Sequence, residues 1–203
     1  ATMTEPTPAS KVAANGANLN INKASGALFF MGANFVNNPK MPNLITLGAQ
    51  TPATFRYRNQ DGSEDADVTL IDPTTYDNGG VTTTVPGNNN ATVQRVYIFP
   101  SGSLRIQRGQ TVYANLSDAI SSIASANPIV EPNIHQNGLL LALIAMKKVT
   151  VDLSDADEAR FFAASRLGDL VGAGSSAIGT LQNSYNNSAE PEILTDATRG
   201  ALT

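Results

Sequence analysis

Val93-Gln94-Arg95-Val96-Tyr97-Ile98-Phe99, Pro100-Ser101-Gly102-Ser103 and Leu104-Arg105-Ile106-Gln107-Arg108 decide the fold class. Apolar and polar residues alternate on either side of the Pro-Ser-Gly-Ser segment, the pattern of a half-buried strand. A short connection containing glycine joins two such runs as a β-hairpin. This is the clearest hairpin in the chain, and the segments around it extend the same reading.

Toward the N-terminus the signal stays β. Gly87-Asn88-Asn89-Asn90 is a turn, Val81 to Val85 a Thr-rich strand, and Asp77-Asn78-Gly79-Gly80 a strong turn. Val68 to Ile71 is read as a strand ended by Asp72-Pro73. From Ala53 to Gln60, Phe55, Tyr57 and Asn59 fall on one face and Arg56 and Arg58 on the other, predicting a half-buried strand. The stretch Gln60 to Ala66 is a polar turn, and Asn37 to Asn43 has loop chemistry. Leu28 to Met31 follows the turn signal Ala24-Ser25-Gly26 as a short apolar strand, and Leu19 to Asn22 alternates. Residues 1–18, rich in Ala, Thr, Pro and Asn, show no period and are expected to form an extended arm.

Toward the C-terminus the period changes once. Val112-Tyr113 is a short edge. Leu116, Ala119, Ile120, Ile123 and Ala124 then recur at helical spacing, predicting a helix over about 116–126 capped by Asn115 or Ser117. Ile129-Val130 is extended between prolines. Leu139 to Met146 is continuously apolar, as in a strand buried on both faces; a core helix is the alternative. Ser154-Asp155-Ala156-Asp157-Glu158 has the composition of a helix start. Gly168 to Gly179 reads as a linker, about Thr180 to Tyr185 as a short helix, and Ile193-Leu194 and Arg199 to Thr203 as strand-like segments running on past the end. The expected fold is mainly β with a few short helices, β-sandwich-like, with an N-terminal arm and a C-terminal helix–strand connector. Its expected divisions are an arm at 1–18, a β-rich domain at 19–153 and a connector at 154–203.

Composition limits the chemistry. Among 203 residues there is no cysteine, no tryptophan and a single histidine, His135. Disulfides and thiolate metal sites are excluded, as is a histidine-rich centre within one chain. Charged residues are only 15 %, while Asn and Thr together supply about one residue in five. A net charge of −4 argues against a basic phosphate-binding face, so no nucleic-acid partner is expected. No apolar run approaches the ~18 residues of a membrane helix, and no membrane insertion is expected.

Several residue clusters invite a chemical reading. Asp61, Ser63, Asp65 and Asp67 have the spacing of oxygen ligands for a hard cation, but Ala66 stands where the loop needs glycine, and the end position is Asp72. A solvated turn accounts for them. Asp152, Asp155, Asp157 and Glu158 are explained by capping and the helix dipole, without a hydrolytic carboxylate pair. His135 has no recognisable nucleophile partner, and no G-x-S-x-G elbow is present. Gly172-Ala173-Gly174-Ser175-Ser176-Ala177 lacks the preceding strand that a dinucleotide fingerprint needs. Arg56, Arg58, Arg95, Arg105 and Arg108 lie on expected strands near aromatics and are read as the polar face of a sheet. No cofactor is expected.

Three stretches resemble the baseplate-proximal region of bacteriophage tail fibre proteins. The first is Phe55-Arg56-Tyr57-Arg58-Asn59-Gln60 after the Asn37-Asn38-Pro39 loop. The second runs from Val96 to Tyr113, and the third from Leu181-Gln182-Asn183-Ser184-Tyr185 through Pro191-Glu192-Ile193 to Gly200-Ala201-Leu202-Thr203. The resemblance covers about residues 19–203, and its middle stretch is the most specific. It implies a non-enzymatic virion protein, a homotrimer that joins tail or baseplate proteins to distal modules contacting the host receptor. On this reading Ala1, Pro6, Pro8 and Val12 are candidates for docking to the tail. Leu181, Tyr185, Ile193, Leu194 and Leu202 are candidates for trimer contacts. A carbohydrate-binding module is a different class of reading, and the absence of tryptophan counts against it. The non-catalytic part of a tailspike depolymerase is another.

Overall fold

A computed structural model describes residues 12–164. The chain divides into two units, 1–167 and 168–203, and every described residue belongs to the first. The described residues are mainly β with two short helices. In chain order, β1 (Val12–Ala14) pairs with β2 (Ile21–Lys23), and β3 (Gly26–Phe29) pairs with β4 (Leu44–Leu47). After β5 (Phe55–Arg58) comes the hairpin of β6 (Thr75–Asn78) and β7 (Val81–Thr84). β8 (Ala91–Ile98) and β9 (Leu104–Gln107) follow, then α1 (Leu116–Ser122), α2 (Pro132–Asn137), β10 (Leu139–Lys147) and β11 (Ala159–Ala163).

One five-stranded sheet, in the order β11-β10-β8-β9-β5, organises the rest. All its pairs are antiparallel except β5–β9, where Phe55, Arg56, Tyr57 and Arg58 lie beside Leu104, Arg105, Ile106 and Gln107. The expected hairpin is β8–β9. Its turn is closed by Phe99 N–H to Ser103 O at 3.0 Å and Gly102 N–H to Phe99 O at 2.8 Å. Between β6 and β7, Gly79 and Gly80 both have positive φ, +65° and +95°, the mirror-image turn that matches strand twist.

Both sheet faces are covered, which is why β8 is buried along its whole length rather than at alternate positions. Val96 and Ile98 of β8, Leu104 and Ile106 of β9, Phe55 and Tyr57 of β5, and Ala142, Ile144 and Met146 of β10 share one face. There they pack with Val12, Ile21, Leu28 and Leu47 of the small hairpins, so β packs on β. The opposite face presents Val93, Arg95 and Tyr97 and carries α1, which contacts β8 and β10. Leu116, Ala119 and Ile123 bury the apolar stripe of that helix. Asn115 caps it, accepting a hydrogen bond from Asp118 N–H at 2.9 Å. β10 is a strand buried on both faces, with a bulge between Leu140 and Ala142 that lets Leu141 join the core.

Several expectations change. Residues 12–18 are not part of a free arm: Val12 is 7 % exposed, sits in the core and starts β1. Its neighbours are apolar side chains of this chain, which removes Val12 from the docking candidates. No helix starts at Ser154. Asp152 instead accepts from Ser154 N–H and Oγ–H at 2.7 and 2.6 Å, and Asp155 from Asp157 N–H at 2.8 Å, both local turns. The chain then enters β11, because pairing with β10 satisfies its backbone over five residue pairs. Long-range pairing here outweighs the capping pattern. Val68 to Ile71 makes isolated bridges rather than a continuous strand, Val68 to Phe55 and Leu70 to Asn20. α2 occupies residues that the sequence pattern leaves unassigned; Pro132 lies in its first turn, and Glu131 caps it by accepting from Ile134 N–H at 3.0 Å.

Candidate functional site

The strands place charged and apolar groups in two separate regions. On the helix-bearing face, the β5–β9 register sets Arg56 beside Arg105. Two like charges at that position repel unless a carboxylate lies between them. Glu64 supplies it. Its carboxylate is 3.2 Å from Arg56 Nη1 and 3.7 Å from Arg58 Nη1, and it accepts from Arg105 Nε. Asp67 takes the other edge of Arg56 at 2.6 and 3.0 Å. Glu131 lies 3.3 Å from Arg58 Nε, so one carboxylate caps α2 and faces the sheet edge together. Burial alone would raise Glu64, but the surrounding arginines hold its carboxyl below the usual glutamate value.

Arg108 projects from the other face. It donates to Asp65 at 2.6 Å, to Asn59 Oδ1 at 3.3 Å and to Thr75 Oγ1 at 3.2 Å, with its guanidinium over the Tyr57 ring. Tyr57 in turn closes a buried polar circuit. Its hydroxyl donates to Gln94 Oε1 at 3.2 Å and accepts from Asp72 N–H at 2.6 Å, while Gln94 Nε2 donates to Asp72 O at 2.7 Å. Burial pushes the Tyr57 phenol well above its ordinary value.

The acidic stretch at 61–67 is therefore committed to arginines and turns. Asp61 accepts from Ser63, Glu64 and Asp67 face arginines, and Asp65 holds Arg108. Among the described residues no three acidic or histidine side chains converge as a metal site would require. His135 is exposed on the last turn of α2. Beside the network, Gln50, Pro52, Thr54, Asp67, Ser103 and Arg105 line an open polar depression of about 470 Å³.

The second region is the tip of the β3–β4 hairpin, which has local order of its own. Phe30 N–H donates to Asn43 O at 2.7 Å, Asn34 N–H to Pro42 O at 2.7 Å and Asn38 N–H to Asn34 O at 2.8 Å. Gly32 takes φ +72° and donates its N–H to Asn43 Oδ1 at 2.8 Å. This scaffold leaves Met31, Phe35, Val36 and Met41 exposed, Val36 at 90 % and Met31 at 82 %. Large apolar side chains left exposed on an ordered loop make the tip a candidate contact surface.

Of the residues singled out by sequence, Arg56, Arg58 and Arg105 come together around Glu64, and Val12 is in the core. Ala1, Pro6, Pro8, Leu181, Tyr185, Ile193, Leu194 and Leu202 lie outside the described residues, as do Gly172 to Ala177. The sequence pattern places Met31 at the end of an apolar strand and Met41 in a loop, and assigns no role to Phe35 and Val36. The signal of the hairpin tip is the placing of Met31, Phe35, Val36 and Met41 among Gly, Asn and Pro, where a solvated loop would be polar.

No family model, curated protein or solved structure matches the chain.

Proposed function

We propose that the chain is a structural, non-enzymatic segment of a phage tail fibre, a homotrimer that connects tail or baseplate proteins to distal receptor-binding modules. The observation that carries this reading is where two of the resembling stretches meet. Phe55 to Gln60 and Val96 to Tyr113 are distant in sequence, yet they supply β5, the end of β8, and β9, neighbours in one sheet. They are also joined through their side chains, Arg108 over Tyr57 and Arg105 with Arg56 around Glu64. The resemblance thus falls on one contiguous unit rather than on scattered segments. The third stretch, 181–203, lies outside the described residues.

Two further features suit the reading. Both faces of the sheet are packed within one chain, by the apolar core on one side and α1 on the other. The exposed apolar tip of the β3–β4 hairpin offers a surface for assembly; a threefold axis repeats such a patch three times and buries it by symmetry.

The docking segment on this reading is residues 1–11, since Val12 belongs to the core. Deleting residues 1–11 should abolish incorporation into tails while the thermal transition of the β unit persists. Normal incorporation of the deleted chain would refute the docking assignment.

A further inference from the structure

The five arginines considered above are not equivalent. Arg56, Arg58, Arg105 and Arg108 each have a carboxylate within 4 Å. Arg95 has none. It is 7 % exposed, and among the described residues its guanidinium makes no hydrogen bond, ion pair or cation–π contact. Its register partners supply no counter-charge: Leu143 of β10 is apolar, and Gln107 of β9 is a neutral amide that donates its Nε2 to Ile129 O at 2.6 Å and leaves its buried Oε1 without a hydrogen bond among the described residues. An uncompensated buried charge is among the costliest features a fold can hold. Burial without a counter-charge also pulls the Arg95 guanidinium below its ordinary value.

The charge is not sealed in. Arg95 lines a cavity of about 120 Å³ with Val93, Gln110, Tyr113, Asn127 and Pro128. At ~30 Å³ per water molecule this is room for about four waters, or for one small polar group. Gln110 is already engaged, donating to Ile129 O at 2.7 Å and accepting from Ile129 N–H at 2.9 Å. The side chains of Tyr113 and Asn127, which line the same cavity, make no hydrogen bond among the described residues.

We propose that this cavity is a binding site for a carboxylate, with Arg95 as its counter-ion and Tyr113 and Asn127 as neighbouring donors. A guanidinium meets a carboxylate through two parallel hydrogen bonds, and both groups are planar. One cation fits a monoanion. No second Lys or Arg lines the cavity to balance a phosphate dianion, and the chain as a whole is acidic. The carboxylate can come from a small free acid or from a side chain of another polypeptide.

The test uses the full chain at fixed ionic strength, with binding followed by NMR at Arg95 Nε–H and the Tyr113 amide. Acetate stands for a free acid, N-acetylglutamate amide for a polypeptide side chain, and inorganic phosphate and chloride are the competing anions. Saturable shifts are expected with at least one carboxylate. Stronger binding of acetate points to a free acid, and stronger binding of the capped glutamate points to a polypeptide. Arg95→Gln should weaken binding by roughly tenfold or more, the loss of a charge-assisted pair. Arg160→Gln, at an exposed site on β11, should leave it unchanged. Should Arg95→Gln fail to fold, Arg95→Lys and Tyr113→Phe give the same comparison. Equal binding by Arg95→Gln, shifts matched by chloride, or tighter binding of phosphate than of both carboxylates would overturn the assignment.

Discussion

The guanidinium carbon of Arg108 lies 4.2 Å from the centre of the Tyr57 ring. Tyr57 belongs to β5, and Arg108 follows directly after β9, so this contact ties the parallel strand pair together from the core side. Both groups are buried, and both are hydrogen-bonded to other parts of the chain.

Arg108→Met should therefore destabilise the protein by about 2 to 3 kcal/mol, the combined loss of a cation–π contact and charge-assisted hydrogen bonds. The full cost of breaking a buried ion pair does not apply, because the Asp65 side chain is 49 % exposed and rehydrates. Arg105→Met, on the more open face, should cost about 1 kcal/mol or less. Urea denaturation of both variants checks the ranking, and an equal loss would contradict it.

Acid should weaken the fold through Glu64 and Asp72. Both carboxyls are held below their ordinary values of 4.5 and 3.8 despite burial, Glu64 by arginines and Asp72 by hydrogen bonds from Thr74 and Thr75. A depressed folded value means that the stabilisation is present above the unfolded value and is lost as pH falls through the folded one. The urea midpoint should be flat near neutrality and fall below about pH 4.5. Glu64→Gln should lower the midpoint at neutral pH and make the acid decline shallower. An unchanged acid slope in that variant would remove Glu64 from the account.

The hairpin tip separates assembly from folding. Phe35→Ser with Val36→Ser removes apolar surface that is 63 % and 90 % exposed, so chain stability should change by about 0.5 kcal/mol or less. If the tip is an assembly surface, the same pair should shift the oligomer toward monomer, as read by analytical ultracentrifugation. Loss of stability without loss of association would assign the tip to the fold instead.

Where sequence and structure agree, a local signal suffices. Pro100 to Ser103 between alternating runs made the β8–β9 hairpin legible, Gly79-Gly80 marked the β6–β7 turn, and Leu116, Ala119 and Ile123 carried the helical period of α1. Where they differ, a distant partner decides. Val12 looks like part of a polar arm until β2 and the core receive it. Ser154 to Glu158 looks like a capped helix until β10 offers β11 a complete ladder. The arginines are legible as one polar set; that four of them pair with carboxylates among the described residues while Arg95 does not depends on which loop reaches each strand. Glu64 arrives from the turn after β5 and Glu131 from the start of α2, and neither position is written in the strands themselves.

The mass of the full chain in solution at micromolar concentration tests the central claim most directly. An assembly subunit of a tail fibre should give a particle of three times the 21.2 kDa chain mass, disrupted by the tip substitutions. A well-folded monomer with the mass of one chain would contradict the account.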